Sequence, residues 1–351
     1  MCFNLFTENV GIDLGTANTL IYIKNKGIVL NEPSVIAMNE DTKHVMAVGK
    51  DAKDMIGRAP ANVRVVRPLQ NGVISDFVMT QEMLKAFLGK VLQGKSTFRS
   101  LRVVVGVPSG VTGVEKRAVE DAVRQMGAKE VYILDEPMAA AIGVGLPVEQ
   151  PSGQMVADIG GGTSDIAILA LGGIVNSVSL RHAGDEMDRA IITYMRKNYN
   201  LLIGNETAEK IKMTLGCAIP DYEFSEEEPD RMEAKGRDVL SGLPRTVVVE
   251  AACIYEALEE PIAVIVEGVK STLESAPPEL AADIVTNGMV LAGGGAKLKG
   301  LDALIEHVTG LHVEVAENAL EAVAEGTGKS LEQVAGPVKS SKKKEPEKES
   351  A

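Results

Sequence analysis

Residues 156–168 read V-A-D-I-G-G-G-T-S-D-I-A-I, and residues 9–21 read N-V-G-I-D-L-G-T-A-N-T-L-I. In each, an apolar run ends in an aspartate, one apolar residue follows, a glycine-led turn of small residues comes next, and a second apolar run closes the pattern. Two apolar runs around such a turn read as a β-hairpin. Glycine where a strand ends lets backbone N–H groups approach a ligand with no Cβ in the way, and successive N–H groups in a turn make an anion nest. Asp13 and Asp158 stand one place before each turn. Carboxylates there are wrong for direct phosphate contact but right for a Mg2+ held through water, since that ion prefers oxygen ligands and keeps much of its hydration. Facing each other, the two hairpins would clamp a magnesium triphosphate from both sides. A single copy is explained equally well as a tight turn satisfying its own backbone; a second copy beyond a domain boundary is not.

The rest of the chain supplies a frame for those turns. Strand-like runs alternate with helical ones, the pattern of an α/β protein. Thr80 is expected to cap a helix carrying Met83, Leu84, Phe87, Leu88, Val91 and Leu92 on one face. A buried strand follows at 101–107, then a helix opened by the capping-box pair Thr112 and Glu115 and stopped by Gly127. A strand at 131–134 delivers Asp135-Glu136 to a point just before Pro137, where a helix can start. The stretch 146–153, with two prolines, a serine and a glycine, is the best domain boundary. Beyond it the pattern predicts helices near 185–198 and 206–215, an acidic loop at Glu226-Glu227-Glu228, and two strands around Ser241-Gly242. A long helix over about 253–273 and a strand at 289–291 follow. That strand meets a third glycine turn, Gly293-Gly294-Gly295, which offers a place for the nucleoside ahead of a helix near 299–309.

Composition narrows the function classes. A chain of 351 residues with 45% hydrophobic and 24% charged residues has material for more than one packed core. The net charge of −13 argues against nucleic acid as a partner, because phosphate contacts need clustered Lys and Arg. Cys2, Cys217 and Cys253 are odd in number and far apart, and His44, His182, His307 and His312 show no ligand spacing, so neither disulfides nor a structural metal is expected. No apolar run long enough to cross a bilayer and no secretory signal is apparent, which points to the cytosol. The stretch 336–351, nearly free of apolar residues, reads as a disordered charged tail. Gly326-Thr327-Gly328-Lys329-Ser330 looks like the end of a Walker A loop, but Val323 stands where the leading glycine belongs, and no Gly-x-Gly-x-x-Gly opens a helix after the first strand.

The doubled hairpin with a later glycine turn resembles the actin, heat-shock-70 and sugar-kinase superfamily, and the likeness is closest to the MreB/Mbl family of bacterial actins. It is carried by Gly11-Ile12-Asp13-Leu14-Gly15-Thr16-Ala17-Asn18-Thr19-Leu20, Asn31-Glu32-Pro33-Ser34-Val35, Met55-Ile56-Gly57-Arg58, Arg67-Pro68-Leu69 with Gly72-Val73-Ile74, and Val107-Pro108-Ser109-Gly110. Ala183-Gly184-Asp185-Glu186-Met187-Asp188 and Pro277-Pro278-Glu279-Leu280-Ala281-Ala282-Asp283-Ile284 extend it across roughly residues 8–334. The acidic loop near 226 and both termini depart from the family pattern.

The resemblance implies an actin-like α/β fold around an ATP cleft. The first lobe would span 1–145 with a small subdomain at about 33–65. The second would span 146–320 with a small subdomain at about 182–248, and 321–335 would return to the first lobe. Gly15, Thr16, Ala17 and Asn18, with Gly160, Gly161, Gly162 and Thr163, would cradle the phosphates, while Asp13 and Asp158 orient hydrated Mg2+. Gly184, Asp185, Glu209, Lys212, Gly294 and Gly295 match ribose and adenine contacts. Glu136 matches the family's water-orienting glutamate, with Thr163 as its partner. The implied protein is a slow ATPase that assembles with itself head-to-tail into antiparallel pairs of protofilaments, peripheral to the inner face of the cytoplasmic membrane, alongside cell-wall elongation proteins. Met1, Phe3, Leu5 and Phe6 form an apolar N-terminus, and Phe98 sits in a basic loop with Lys95, Arg99 and Arg102. An acidic protein needs such apolar wedges beside cations to bind an anionic bilayer. A small-molecule kinase of the same superfamily would bind ATP alike but needs an acceptor pocket with its own base, which nothing in the sequence marks.

Overall fold

The computed structural model describes residues 7–92, 100–220, 222–225 and 227–334. The wedge residues Met1, Phe3, Leu5, Phe6 and Phe98, Glu226 of the acidic loop, and the tail lie outside them.

Two five-stranded sheets carry the chain, and their topologies match. In the first, Ala128–Asp135, Ser100–Val107, Thr7–Leu14, Asn18–Ile23 and Gly27–Pro33 lie side by side in that order. In the second the order is Val313–Val315, Met289–Ala292, Gln154–Ile159, Ser164–Ala170 and Gly173–Leu180. Each is an antiparallel three-stranded meander extended by two strands parallel to its first. Registers agree as well. Asp13 pairs with Leu20 and Leu14 with Thr19, while Asp158 pairs with Asp165 and Ile159 with Ser164. The repeated sequence is thus a repeated sheet, read at the same position of each.

The central strands are buried on both faces, which explains runs such as Val103, Val104 and Val105 that do not alternate with polar residues. One core gathers Ile12, Ile21, Phe87 and Val105 in the first lobe; another gathers Ile159, Ile166, Ile191 and Ile265 in the second. A smaller cluster of Ala139, Ala140, Ala141, Val156, Ala322 and Val323 joins them. It is built where helix Glu136–Val144 meets helix Ala322–Val334, which also packs on the first sheet. The failed Walker sequence lies in this last helix. A Cβ at Gly326 would overlap the Ala139 carbonyl, and one at Gly328 would enter the Tyr22 ring, so these glycines serve close backbone approach.

Two local expectations need correction. Helix Phe77–Val91 is capped by Asp76, whose carboxylate accepts from the Met79 N–H at 3.1 Å. Thr80 sits a turn later, where its hydroxyl donates back to the Asp76 carbonyl at 2.8 Å. Arg102 belongs to strand Ser100–Val107 and donates to Glu130 at 2.7 Å, so it is an engaged strand residue instead of a loop cation. The capping box of Thr112 and Glu115 is present, with Glu115 accepting from the Thr112 N–H at 2.6 Å.

Smaller sheets rise from each lobe: Ile36–Asn39, Val45–Val48 and Val63–Val66 from the first, Leu201–Leu202, Arg231–Asp238 and Pro244–Glu250 from the second. Helices Gly184–Tyr199 and Asn205–Leu215 pack beside the latter group. Among the described residues no helix is long and apolar enough to cross a membrane.

Candidate functional site

A cavity of about 530 Å3 opens between the lobes. It is lined by Asp13, Gly15, Thr16, Ala17, Asn18, Glu136, Asp158, Gly160, Gly161, Gly162, Thr163, Gly184, Glu209, Lys212, Gly294 and Gly295, which come from the ends of both sheets and from two helices of the second lobe. All of these are among the site residues that the resemblance implies. Asp185, implied with them, is the exception, facing away to accept from Arg67 at 3.0 Å.

The two hairpin turns meet tip to tip. A Cβ at Gly162 would lie 2.5 Å from Thr16 Oγ1, and one at Gly161 would lie 2.6 Å from Ala17 Cβ. The first turn is held from behind by Ser34, whose hydroxyl donates to the Gly15 carbonyl at 2.6 Å. Gly72 donates its N–H to Thr16 Oγ1 at 2.9 Å and takes a positive φ of 76° that suits glycine. The second turn closes on itself through Gly160 N–H to Thr163 O at 2.8 Å. Its Gly160 and Gly161 carbonyls accept from the Gly184 and Asp185 N–H groups at 3.2 and 2.7 Å, which seats the start of helix Gly184–Tyr199 against the turn. At the third turn, a Cβ on Gly293 would lie 2.5 Å from Asp158 Oδ1. Only glycine permits the strand end carrying Asp158 to lie so close.

Beneath the turns four carboxylates converge. Burial pushes Asp13 up to about 7. Burial also drives Glu136 well above the usual carboxylate range, reinforced by the negative charges of Asp165, Asp13, Asp158 and Asp135. Asp158 is raised by burial and then by Asp13 and Asp165. Asp165 is raised by burial despite accepting from the Ser109 N–H and hydroxyl at 2.8 and 2.9 Å and from nearby Ser179 and Thr163 hydroxyls. Among the described residues no lysine, arginine or histidine pairs with any of the four. Lys212 donates instead to the Gly184 carbonyl at 2.8 Å and pairs with Asp188 at 2.9 Å, and Lys116 pairs with Asp135 at 2.8 Å. A cluster of buried acids lacking a cation fits a bound divalent ion, because like charges this close cannot all ionise unaided. Among the described residues no group of three or more His, Cys, Asp or Glu side chains is placed to hold a metal ion directly.

Asp165 escaped sequence reading. Its signal was an acidic residue inside the fully buried strand Ser164–Ala170, at a position occupied by Leu20 in the first hairpin.

Comparison with known proteins is specific. The family model described as MreB/Mbl protein matches residues 7–339. The chain is 50% identical over 334 residues to the cell shape-determining protein MreB of Escherichia coli K12, covering 94% of this chain and 95% of that protein. It is 48% identical over 328 residues to the cell shape-determining protein Mbl of Bacillus subtilis 168, covering 93% and 97%. Among solved structures, MreB5 of Spiroplasma citri bound to ADP superposes with a TM-score of 0.87 at 37% identity, covering 93% of this chain and 97% of that one. The same protein bound to AMPPNP gives 0.86 at 36%. The fold is therefore actin-like: two related α/β lobes around a cleft.

Proposed function

The chain belongs to the MreB/Mbl family of cell shape-determining proteins, and from that premise we propose that it is an ATP-dependent cytoskeletal filament protein that organises cell-wall synthesis from the inner face of the cytoplasmic membrane. One observation carries the nucleotide reading: two glycine turns from opposite lobes touch above four buried carboxylates that pair with no cation among the described residues. The ADP- and AMPPNP-bound relatives support a nucleotide as the occupant. Family membership leaves the kinase alternative without support.

In this reading Gly15 to Asn18 and Gly160 to Thr163 hold the phosphates, and Glu209, Lys212, Gly294 and Gly295 shape the nucleoside end. Asp185 contributes by fixing the start of its helix on the second turn. Asp13 and Asp158 hold Mg2+ through water, and the ion supplies compensation for the charge developing on the phosphates. Glu136, at the first position of its helix, orients the attacking water, and Thr163 helps to place it. Burial first and the neighbouring negative charges second raise the proton affinity of Glu136, so balancing those charges in a filled site favours its ionised form. Loss of the terminal phosphate removes a tie between the lobes, so contacts between subunits follow nucleotide state. The polymer consists of head-to-tail protofilaments in antiparallel pairs. Met1, Phe3, Leu5, Phe6 and Phe98 insert into the membrane, and cell-wall elongation proteins are the further partners.

A titration of the full chain with a fluorescent ATP analogue, with and without Mg2+, tests the core of this reading. Saturable binding that strengthens with the metal is expected; no binding in its presence overturns the reading. Pelleting with ATP and co-sedimentation with anionic vesicles test the outer layers. Removing residues 1–7 together with Phe98→Ser is expected to abolish vesicle binding and leave nucleotide binding intact.

A further inference from the structure

Residues 227–228 of the acidic run have no part in the site as described so far, yet Glu228 reaches a residue that lines the cavity. The contact point is Lys299, which lines the cavity four residues beyond the third glycine turn. Its side chain is 16% exposed, and its ammonium is fully engaged. It donates to the Thr214 carbonyl at 2.7 Å, pairs with Glu228 at 3.4 Å, and lies 4.5 Å from the centre of the Phe224 ring. Tyr222 meets Phe224 edge-on, with ring centres 5.0 Å apart. The backbone is tied at the same place: the Ala218 N–H donates to the Lys299 carbonyl at 2.8 Å, and Cys217 bridges to Lys299 in parallel.

These contacts join three pieces, of which the first two border the cavity and the third packs on Lys299 from outside the lining. Thr214 is in the last turn of helix Asn205–Leu215, where a cation satisfies an otherwise unpaired carbonyl and opposes the helix dipole. That helix carries Glu209 and Lys212. The second piece is the turn Gly293–Gly295 and its continuation to Lys299. The third is a strap made by residues 217–220, 222–225 and 227–230, whose Phe224 and Glu228 hold the ammonium. With its ammonium held by a carbonyl, a carboxylate and a ring, Lys299 is suited to fixing geometry.

We propose that Lys299 is a positioning residue for the nucleoside end of the cavity and that the strap carrying Phe224 and Glu228 sets how long a nucleotide stays bound. The proposal rests on the nucleotide reading above and adds to it a control element outside the phosphate machinery. The strap acts by holding Lys299, which in turn keeps helix Asn205–Leu215 and the third glycine turn at a fixed separation.

The test is the dissociation rate of a fluorescent ATP analogue with Mg2+ from the full chain, measured beside single-turnover phosphate release at saturating ATP. Lys299→Met is expected to speed dissociation about tenfold, and Phe224→Ala and Glu228→Gln about threefold each, the two strap variants leaving single-turnover release unchanged. Lys299→Arg, which keeps the donors and the charge, is expected to restore most of the slow rate. Combining Glu228→Gln with Lys299→Met should be no faster than Lys299→Met alone, since the strap works through the lysine. Glu228 is at the surface, so its variant keeps the proposal testable if Lys299→Met fails to fold. Strap variants with parental dissociation rates, or effects that multiply in the double variant, overturn the proposal. A parent chain that binds no nucleotide overturns the site reading itself, a result distinct from either.

Discussion

The turn beginning at Gly15 and the turn beginning at Gly160 occupy equivalent places in two sheets of the same strand order and register. Their side chains are nonetheless divided unequally. Thr16 and Ala17 face Gly161 and Gly162, and the space a Cβ would need on the second turn is filled by the side chains of the first. Deeper in the strands the inequality reverses. Leu20 in the first lobe is apolar, whereas its counterpart Asp165 is a buried carboxylate that raises Glu136. Repetition of a backbone has thus been retained while the chemistry has been split: one lobe fills the joint, and the other tunes the acid beside it.

The largest effect is expected at Glu136, which faces the acidic side of that division. Glu136→Gln should slow phosphate release by about 100- to 1000-fold, the range for losing a group that handles a proton or positions water, with nucleotide affinity kept. Unchanged turnover would remove Glu136 from the chemistry. Asp165→Asn sharpens the point. Removing that negative charge lowers the proton affinity of Glu136, so the acid limb of the pH–rate profile should move to lower pH. The equivalent change at Leu20 has no charge to remove and should leave the limb in place.

Swapping side chains between the turns should have the next largest effect. Gly161→Ala places a methyl against Ala17 and is expected to cost about 2 kcal/mol, roughly 30-fold in nucleotide affinity. Adding Ala17→Gly empties the opposing space and should recover most of the loss. A double variant as weak as the single one would show that the turns do not share this space.

Much of this site was legible because its signals are local. Asp-apolar-Gly repeats, the Thr112–Glu115 box and Glu136 before Pro137 each lie within a few residues, and the structure places them as the spacing suggested. What escaped depends on contacts across the fold. Gly326 and Gly328 look like a loop because glycine weakens helices, but the Ala139 backbone and the Tyr22 ring leave no room for anything larger. Asp165 reads as an anomaly in an apolar strand until Ser109 is seen to hold it. Thr80 is a favourable cap by residue type, and only the hydrogen bond from the Met79 N–H shows that Asp76 is the cap.

A smaller effect concerns the first turn's own aspartate. Asp13 titrates near 7 in the folded protein and at 3.8 in an ordinary setting, so between these values the folded state holds a proton that the unfolded chain has released. Stability from this group is therefore full below pH 3.8, falls as pH rises, and is lost once pH passes about 7. Nucleotide-free protein should melt about 1–2 °C higher at pH 6 than at pH 7.5, roughly what 1 kcal/mol produces in a chain of 351 residues. Asp13→Asn should reduce that difference without abolishing it, the remainder coming from the other raised acids, Glu136, Asp158 and Asp165.

The smallest effects belong to the far edge of the cleft, where the lobes touch through charge instead of through close-packed turns. Arg67 pairs with Asp185 at 3.0 Å, Lys53 with Glu209 at 2.7 Å and Arg58 with Glu206 at 2.7 Å, each joining the first lobe to a helix of the second. Bond length would rank Arg67–Asp185 last. Exposure argues the opposite order, since its side chains are 25% and 22% exposed against 60% and 65% for Arg58–Glu206. Water screens an exposed pair and holding two long side chains costs entropy, so such pairs contribute about 0–1 kcal/mol. Double-mutant cycles read on nucleotide dissociation should therefore give the largest coupling for Arg67 with Asp185, an intermediate one for Lys53 with Glu209, and almost none for Arg58 with Glu206. All three should shrink as salt is raised, whereas the turn swap at Gly161 and Ala17, being steric, should not respond to salt. A salt-sensitive swap would mean that charge, and not packing, governs how the two turns meet.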